Sequence, residues 1–137
     1  MKHSHQPSKE DWAKLPSAFR RIRLELAREK GHPEGDAKIG YTLILPLDET
    51  GRIDTSLWHS HRDYCRVVRF RPDEPDDIGH LVRKAGGAWA FHYDIGGKLD
   101  DETVPHISSD RFLIGDYMSV HEEDGLHTFQ VAWVGRV

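Results

Sequence analysis

The stretch Ser17-Ala18-Phe19-Arg20-Arg21-Ile22-Arg23-Leu24-Glu25-Leu26-Ala27-Arg28-Glu29-Lys30 decides the fold class of this chain. Phe19, Ile22 and Leu26 fall at helical spacing, Ser17 follows Pro16 and can cap an N-terminus, and Gly31 with Pro33 supplies a stop. The spacing predicts a helix over 17–30. Arg20, Arg21, Arg23, Arg28 and Lys30 make it basic. Glu25 and Glu29 continue at i,i+4 steps from Arg21, so the charged face reads as solvated and ion-paired, with an anionic partner as the alternative. Upstream, Ser8-Lys9-Glu10-Asp11 can open a short turn that sets Trp12 and Leu15 against the body. Residues 1–16 are expected to be a flexible polar arm or short turn. His3 and His5 in it read as tail residues, not ligands.

Downstream the pattern changes to that of a sheet. Tyr41–Leu45 is apolar and β-branched, and Asp48-Glu49-Thr50-Gly51 reads as a turn. Cys65–Arg71 is a further strand, followed by an acidic stretch, Asp73 to Asp77, that reads as a solvated loop. His80–Lys84 and Ala88–Asp94 flank Ala85-Gly86-Gly87, the pattern of a hairpin. Residues 95–111 read as a long loop, and Asp116–His121 and Leu126–Val134 flank a turn containing Asp124-Gly125. Gly115 is placed to permit a bend before the first of these. The fold expected from these elements is α+β. An N-terminal helix packs on a mostly antiparallel, six-stranded curved sheet or small open β-barrel, residues 17–137 form a single domain, and a short second helix lies near 55–64.

That second helix rests on Thr55-Ser56-Leu57-Trp58-His59-Ser60-His61-Arg62-Asp63-Tyr64-Cys65. With the period of a strand, His59, His61, Asp63 and Cys65 share one face and form a metal-ligand set. With the period of a helix, Leu57, His61 and Cys65 share a stripe and His59 and Asp63 turn away. Asp54 and Thr55 are good N-caps, Leu57 and Trp58 open an apolar stripe, and no β-branched residue lies between 56 and 66, which favours the helix. The His59-x-His61 pair resembles the start of a cupin-type site. A cupin follows the pair with a glutamate three or four residues on, where this chain has Tyr64 and Cys65. Ser60-His61-Arg62-Asp63 holds the letters of a hydrolase triad, but triad members meet through tertiary folding, not as sequence neighbours.

Two constellations point to function. Arg66, Arg69, Arg71 and Arg83 alternate along strands beside Trp89, Phe91 and Tyr93; guanidiniums grip phosphate or carboxylate and aromatic rings stack on planar groups. The same aromatic alternation is also what the core face of a sheet requires. The second is a histidine and carboxylate set, with His59, His61, His92 and Asp94 as metal ligands, Cys65 in support, and His106 and His121 as further members. His32, His80 and His127 read as polar positions on loops or exposed strand faces.

Composition sets the outer limits. With 37% hydrophobic residues, one domain has enough apolar material for a core without disulfide or structural metal. Cys65 is the only cysteine, which fits a reducing compartment and a cytoplasmic location. The net charge of −4 is unevenly spread: +4 over 1–30, −3 over 31–51, +3 over 52–71 and −8 over 72–137. That balance argues against extended nucleic-acid binding. No apolar run approaches a membrane span, and Walker loop, dinucleotide fingerprint and HExxH are missing. The expectation is a non-catalytic, soluble domain binding an anionic small molecule or a protein partner, without a cofactor. The alternative is a small-barrel enzyme with zinc or iron on the histidines. A third reading is an interaction module acting through an edge strand or the basic N-terminal helix.

Overall fold

In the computed structural model, residues 15–94 and 105–137 are described. The strands are β1 (Phe19–Leu26), β2 (Asp36–Pro46), β3 (Arg66–Arg71), β4 (Glu74–Arg83), β5 (Trp89–Tyr93), β6 (His106–Ile107), β7 (Tyr117–Glu122) and β8 (Gly125–Arg136). Each pairs antiparallel with its sequence neighbour, and β8 closes on β1 to complete a barrel. One helix, α1 (Thr55–Ser60), and a 3-10 turn at Arg62–Tyr64 lie in the β2–β3 connection.

The α+β expectation is therefore corrected: the fold is a closed eight-stranded barrel, and the region read as an N-terminal helix is β1. The reason is Leu24. Ile22, Leu24 and Leu26 alternate into the core at 0%, 0% and 6% exposure while Arg21, Arg23 and Glu25 point outward, a period of two that a helix would scatter around its circumference. Arg, Leu, Glu and Ala all favour helices, but β1 hydrogen-bonds to β2 on one side and β8 on the other, and that pairing overrides local propensity. Phe19, Ile22 and Leu26 face the interior, so they form no exposed stripe for a partner.

The six-strand expectation also missed β6, which lies inside the segment read as a loop over 95–111; residues 95–104 of that segment are outside the described residues, as is the Ser8–Asp11 turn. The acidic stretch is not a loop. Asp73, at φ 67°, takes the tight turn and Glu74 already begins β4. Asp54 caps α1 as its sequence suggests, its side chain accepting from Leu57 N at 3.0 Å.

An eight-stranded barrel is just wide enough for side chains to fill. Leu24, Leu43, Val67, Phe91, Val120 and Phe129 form the middle of that filling. At the lower end, where β1 begins and β2 finishes, Trp58 of α1 inserts against Trp89 with ring centroids 5.0 Å apart. Its indole Nε1 donates to Leu81 O at 3.0 Å, and Leu47, Ile53, Cys65 and Phe112 complete an apolar plug. Burial pushes the Cys65 thiol up to about 12, so it is not a thiolate nucleophile. No described helix is long and apolar enough to cross a membrane.

Candidate functional site

The upper end of the barrel is built on the same alternation with different residues. In phase with the inward rows at this end stand Tyr41 on β2, Arg69 and Arg71 on β3, Asp77 on β4, Tyr93 on β5, Glu122 on β7 and His127 on β8. Register fixes their neighbours: Tyr41 lies opposite Arg69, Arg69 opposite Asp77, and His127 opposite Val120. Gly79, opposite Tyr93, lets β4 and β5 approach closely, since a Cβ there would stand 2.1 Å from the His92 carbonyl oxygen.

Tyr41 is fully buried between Phe91 and Phe129, with centroids 5.0 and 5.2 Å away, and its hydroxyl donates to Glu122 Oε2. Arg69 donates to the other oxygen of Glu122 at 3.2 Å, so both oxygens of that carboxylate are held. Burial drives the Tyr41 hydroxyl far above its ordinary pKa, reinforced by Tyr93 and Glu122, which keeps it a proton donor. Burial also raises Tyr93, with Arg69 opposing, and its hydroxyl lies buried beside that of Tyr41. Arg71 pairs with Glu74 and, through its terminal nitrogen, with Asp77 at 2.9 Å.

His127 stands among carboxylates. Its Nδ1 is 3.1 Å from both oxygens of Glu29, and its Nε2 is 2.8 Å from Asp124 Oδ1 and 3.7 Å from Glu122 Oε1. Burial opposes a charge on the ring, but hydrogen bonds to Asp124 and Glu29 and the field of Glu122 outweigh it and raise its pKa. The hydrogen bond from His127 holds Asp124 below the usual carboxylate range. These groups line a cleft of about 190 Å³ whose apolar wall is Leu26, Ile39 and Phe129. That is about six water volumes at ~30 Å³ each.

Of the arginine–aromatic set, Arg69, Arg71 and Tyr93 lie at this end of the barrel, while Trp89 and Phe91 are core residues. Arg66 faces outward, buried and paired with Asp94 at 2.9 Å and with His80; Arg83 lies over the Trp89 ring at the lower end. The histidines proposed as ligands are not brought together. His59 contacts Arg62, His61 packs edge-on against Phe19, His92 is exposed on the outer wall, and Asp94 is held by Arg66 and His80. His106 and His121 stack with centroids 4.3 Å apart across β6 and β7. Among the described residues, the group of three or more metal-ligating side chains with converging atoms is Glu122, Asp124 and His127.

His127, read as a polar position on a loop or exposed strand face, thus lines the cleft, as does His32. The signal was present: His127 is in phase with Phe129 and Val131, both buried, so it had to face inward. Glu122 is likewise in phase with Met118 and Val120. Comparison with protein-family models, with curated proteins and with solved structures finds no match for this chain.

Proposed function

We propose that this barrel binds a small ligand carrying a carboxylate or phosphate group at its upper mouth, without catalysing a reaction. Arg69 and Arg71 offer the anion their guanidiniums, and Leu26, Ile39 and Phe129 accept an apolar remainder. The observation that carries the reading is that two guanidiniums, Arg69 and Arg71, line one cleft together with an apolar wall, at the end of the barrel where inward side chains are ionisable. The cleft of about 190 Å³ is below the ~300–1,000 Å³ typical of drug-sized ligands, which selects a compact molecule of a few heavy atoms. A cytoplasmic location belongs to the same reading. It is supported by the free buried Cys65.

The test is a calorimetric screen of small carboxylates and phosphates in the presence of a chelator. Binding should weaken with salt and be lost in Arg69→Met and in Arg71→Met, but survive Arg83→Met at the opposite end. Retention of binding by the first two variants sinks the proposal.

A further inference from the structure

Among the described residues, the cleft is lined by the carboxylates Glu29, Glu122 and Asp124 against Arg69 and Arg71 as permanent cations, and Arg71 is further paired with Glu74 and Asp77. Added positive charge beside Arg69 and Arg71 would strengthen their hold on an anion without being required for it. We propose that Glu122, Asp124 and His127 form a binding site for a divalent metal ion at the rim of the cleft, which in turn leaves coordination positions open for the anionic ligand inferred above.

One ligand atom from each of the three residues lies within 4.8 Å of the others, with His127 Nε2 at 2.8 Å from Asp124 and 3.7 Å from Glu122. Ligands of one ion with bonds of ~2.0–2.2 Å are spaced about 3–3.5 Å apart, so small side-chain adjustments place all three on a single ion. The chain prepares each ligand differently. Glu122, 8% exposed, is held through its two oxygens by Tyr41 and Arg69, which fixes the carboxylate plane. Glu29 accepts from His127 Nδ1, so that when an ion displaces the Nε2 proton now donated to Asp124, Nε2 is the nitrogen left to ligate, the arrangement that orients metal-ligating histidines in general. Asp124 sits in the β7–β8 turn, exposed and free to close on the ion.

A separate observation marks the same place. His32 lines this cleft, and its Nδ1 is buried without a hydrogen-bond partner. One imidazole with two carboxylates, and no thiolate, suits zinc, manganese or ferrous iron and disfavours cuprous copper. Three protein ligands leave at least one position for water or an anionic oxygen.

The experiment is a calorimetric titration of the untagged full-length chain with Zn²⁺ and, separately, Mn²⁺, with no anionic ligand present and His3 and His5 replaced by Gln to remove the tail. One ion per chain is expected. Asp124→Asn, an exposed change that leaves the barrel intact, should weaken binding at least ~100-fold, as should His127→Gln; Glu29→Gln should weaken it ~10–100-fold. His92→Gln should have no effect. Binding that survives Asp124→Asn but is lost in His106→Gln or His121→Gln would move the ion to the stacked pair and overturn the proposal, as would the absence of binding by the chain with all three ligands intact. The site proposal rests on the mouth being the ligand site, yet the two fail separately. The anion screen is run with chelator and the metal titration without anion.

Discussion

The two ends of the barrel are made by the same backbone rule and filled by opposite chemistry. At the lower end, Trp58, Trp89, Phe112, Leu47 and Ile53 close the interior, and the one conspicuous polar atom, the Trp58 indole nitrogen, is spent on Leu81 O. At the upper end, Tyr41, Arg69, Glu122, Tyr93 and His127 occupy the equivalent inward positions. A buried ion pair such as Arg69–Glu122 gives little net stability relative to apolar residues of the same volume, because desolvation offsets the Coulombic gain. The lower end therefore carries the stability, and the upper end spends part of it on chemistry.

That division can be broken by substitution. The largest effect should come from Phe112→Ala, a loss of about 3–5 kcal/mol in urea unfolding for a fully buried ring; a loss under ~1 kcal/mol would show that the plug is not a packed core. Next, Glu122→Gln strands the Arg69 guanidinium, which is partly exposed, and should cost about 2 kcal/mol. Replacing the whole layer, Arg69→Met with Glu122→Leu and Tyr41→Phe so that no buried hydroxyl loses its acceptor, should return stability to within ~1 kcal/mol of the parent. A triple variant as unstable as the single one would mean that the polar layer holds the fold together. Third, Asp54→Ala removes the α1 cap and should cost about 1 kcal/mol without affecting ligands at the opposite end.

The smallest effect is a pH dependence on the outer wall. His80 donates from Nδ1 to Asp94 at 2.9 Å and receives Arg66 at Nε2. Burial and then the Arg66 charge lower its pKa below the ordinary 6.5, with Asp94 opposing. The unfolded histidine takes up a proton that the folded one resists, so this contribution is present above pH 6.5 and is lost as pH falls toward the folded value. His80→Gln should flatten the stability–pH curve between pH 7 and 5. An unchanged slope would assign it to other groups.

How much of this was readable in sequence follows from which signal was local. β2, β3, the β4–β5 hairpin, β7 and β8 announce themselves through β-branched and aromatic runs and through Gly86-Gly87 and Asp124-Gly125. β1 did not, because Arg, Leu, Glu and Ala are helix formers and only the phase of Leu24 betrays the strand; the pairing that decides it comes from β8, at the far end of the chain. β6 is two residues long and carries no pattern. Of the arginines and aromatics singled out in the sequence, Arg69 and Arg71 line the cleft and Tyr93 lies at the same end of the barrel. Glu122, Asp124 and His127 were hidden because a turn signal masks ligands on either side of it, and Glu29 because its partner lies 98 positions away.

The shortness of β6 has a mechanical meaning. A closed ring of strands is only as tight as its narrowest clasp, and here two residues join β5 to β7 while β1 is laced to both neighbours along its whole length. When such a hoop slackens, it does so at the clasp, and this one fastens the strand that carries Tyr93 to the strand that carries Glu122. The amides of Phe91, His106 and Ile107 are where solvent deuterium enters the sheet first.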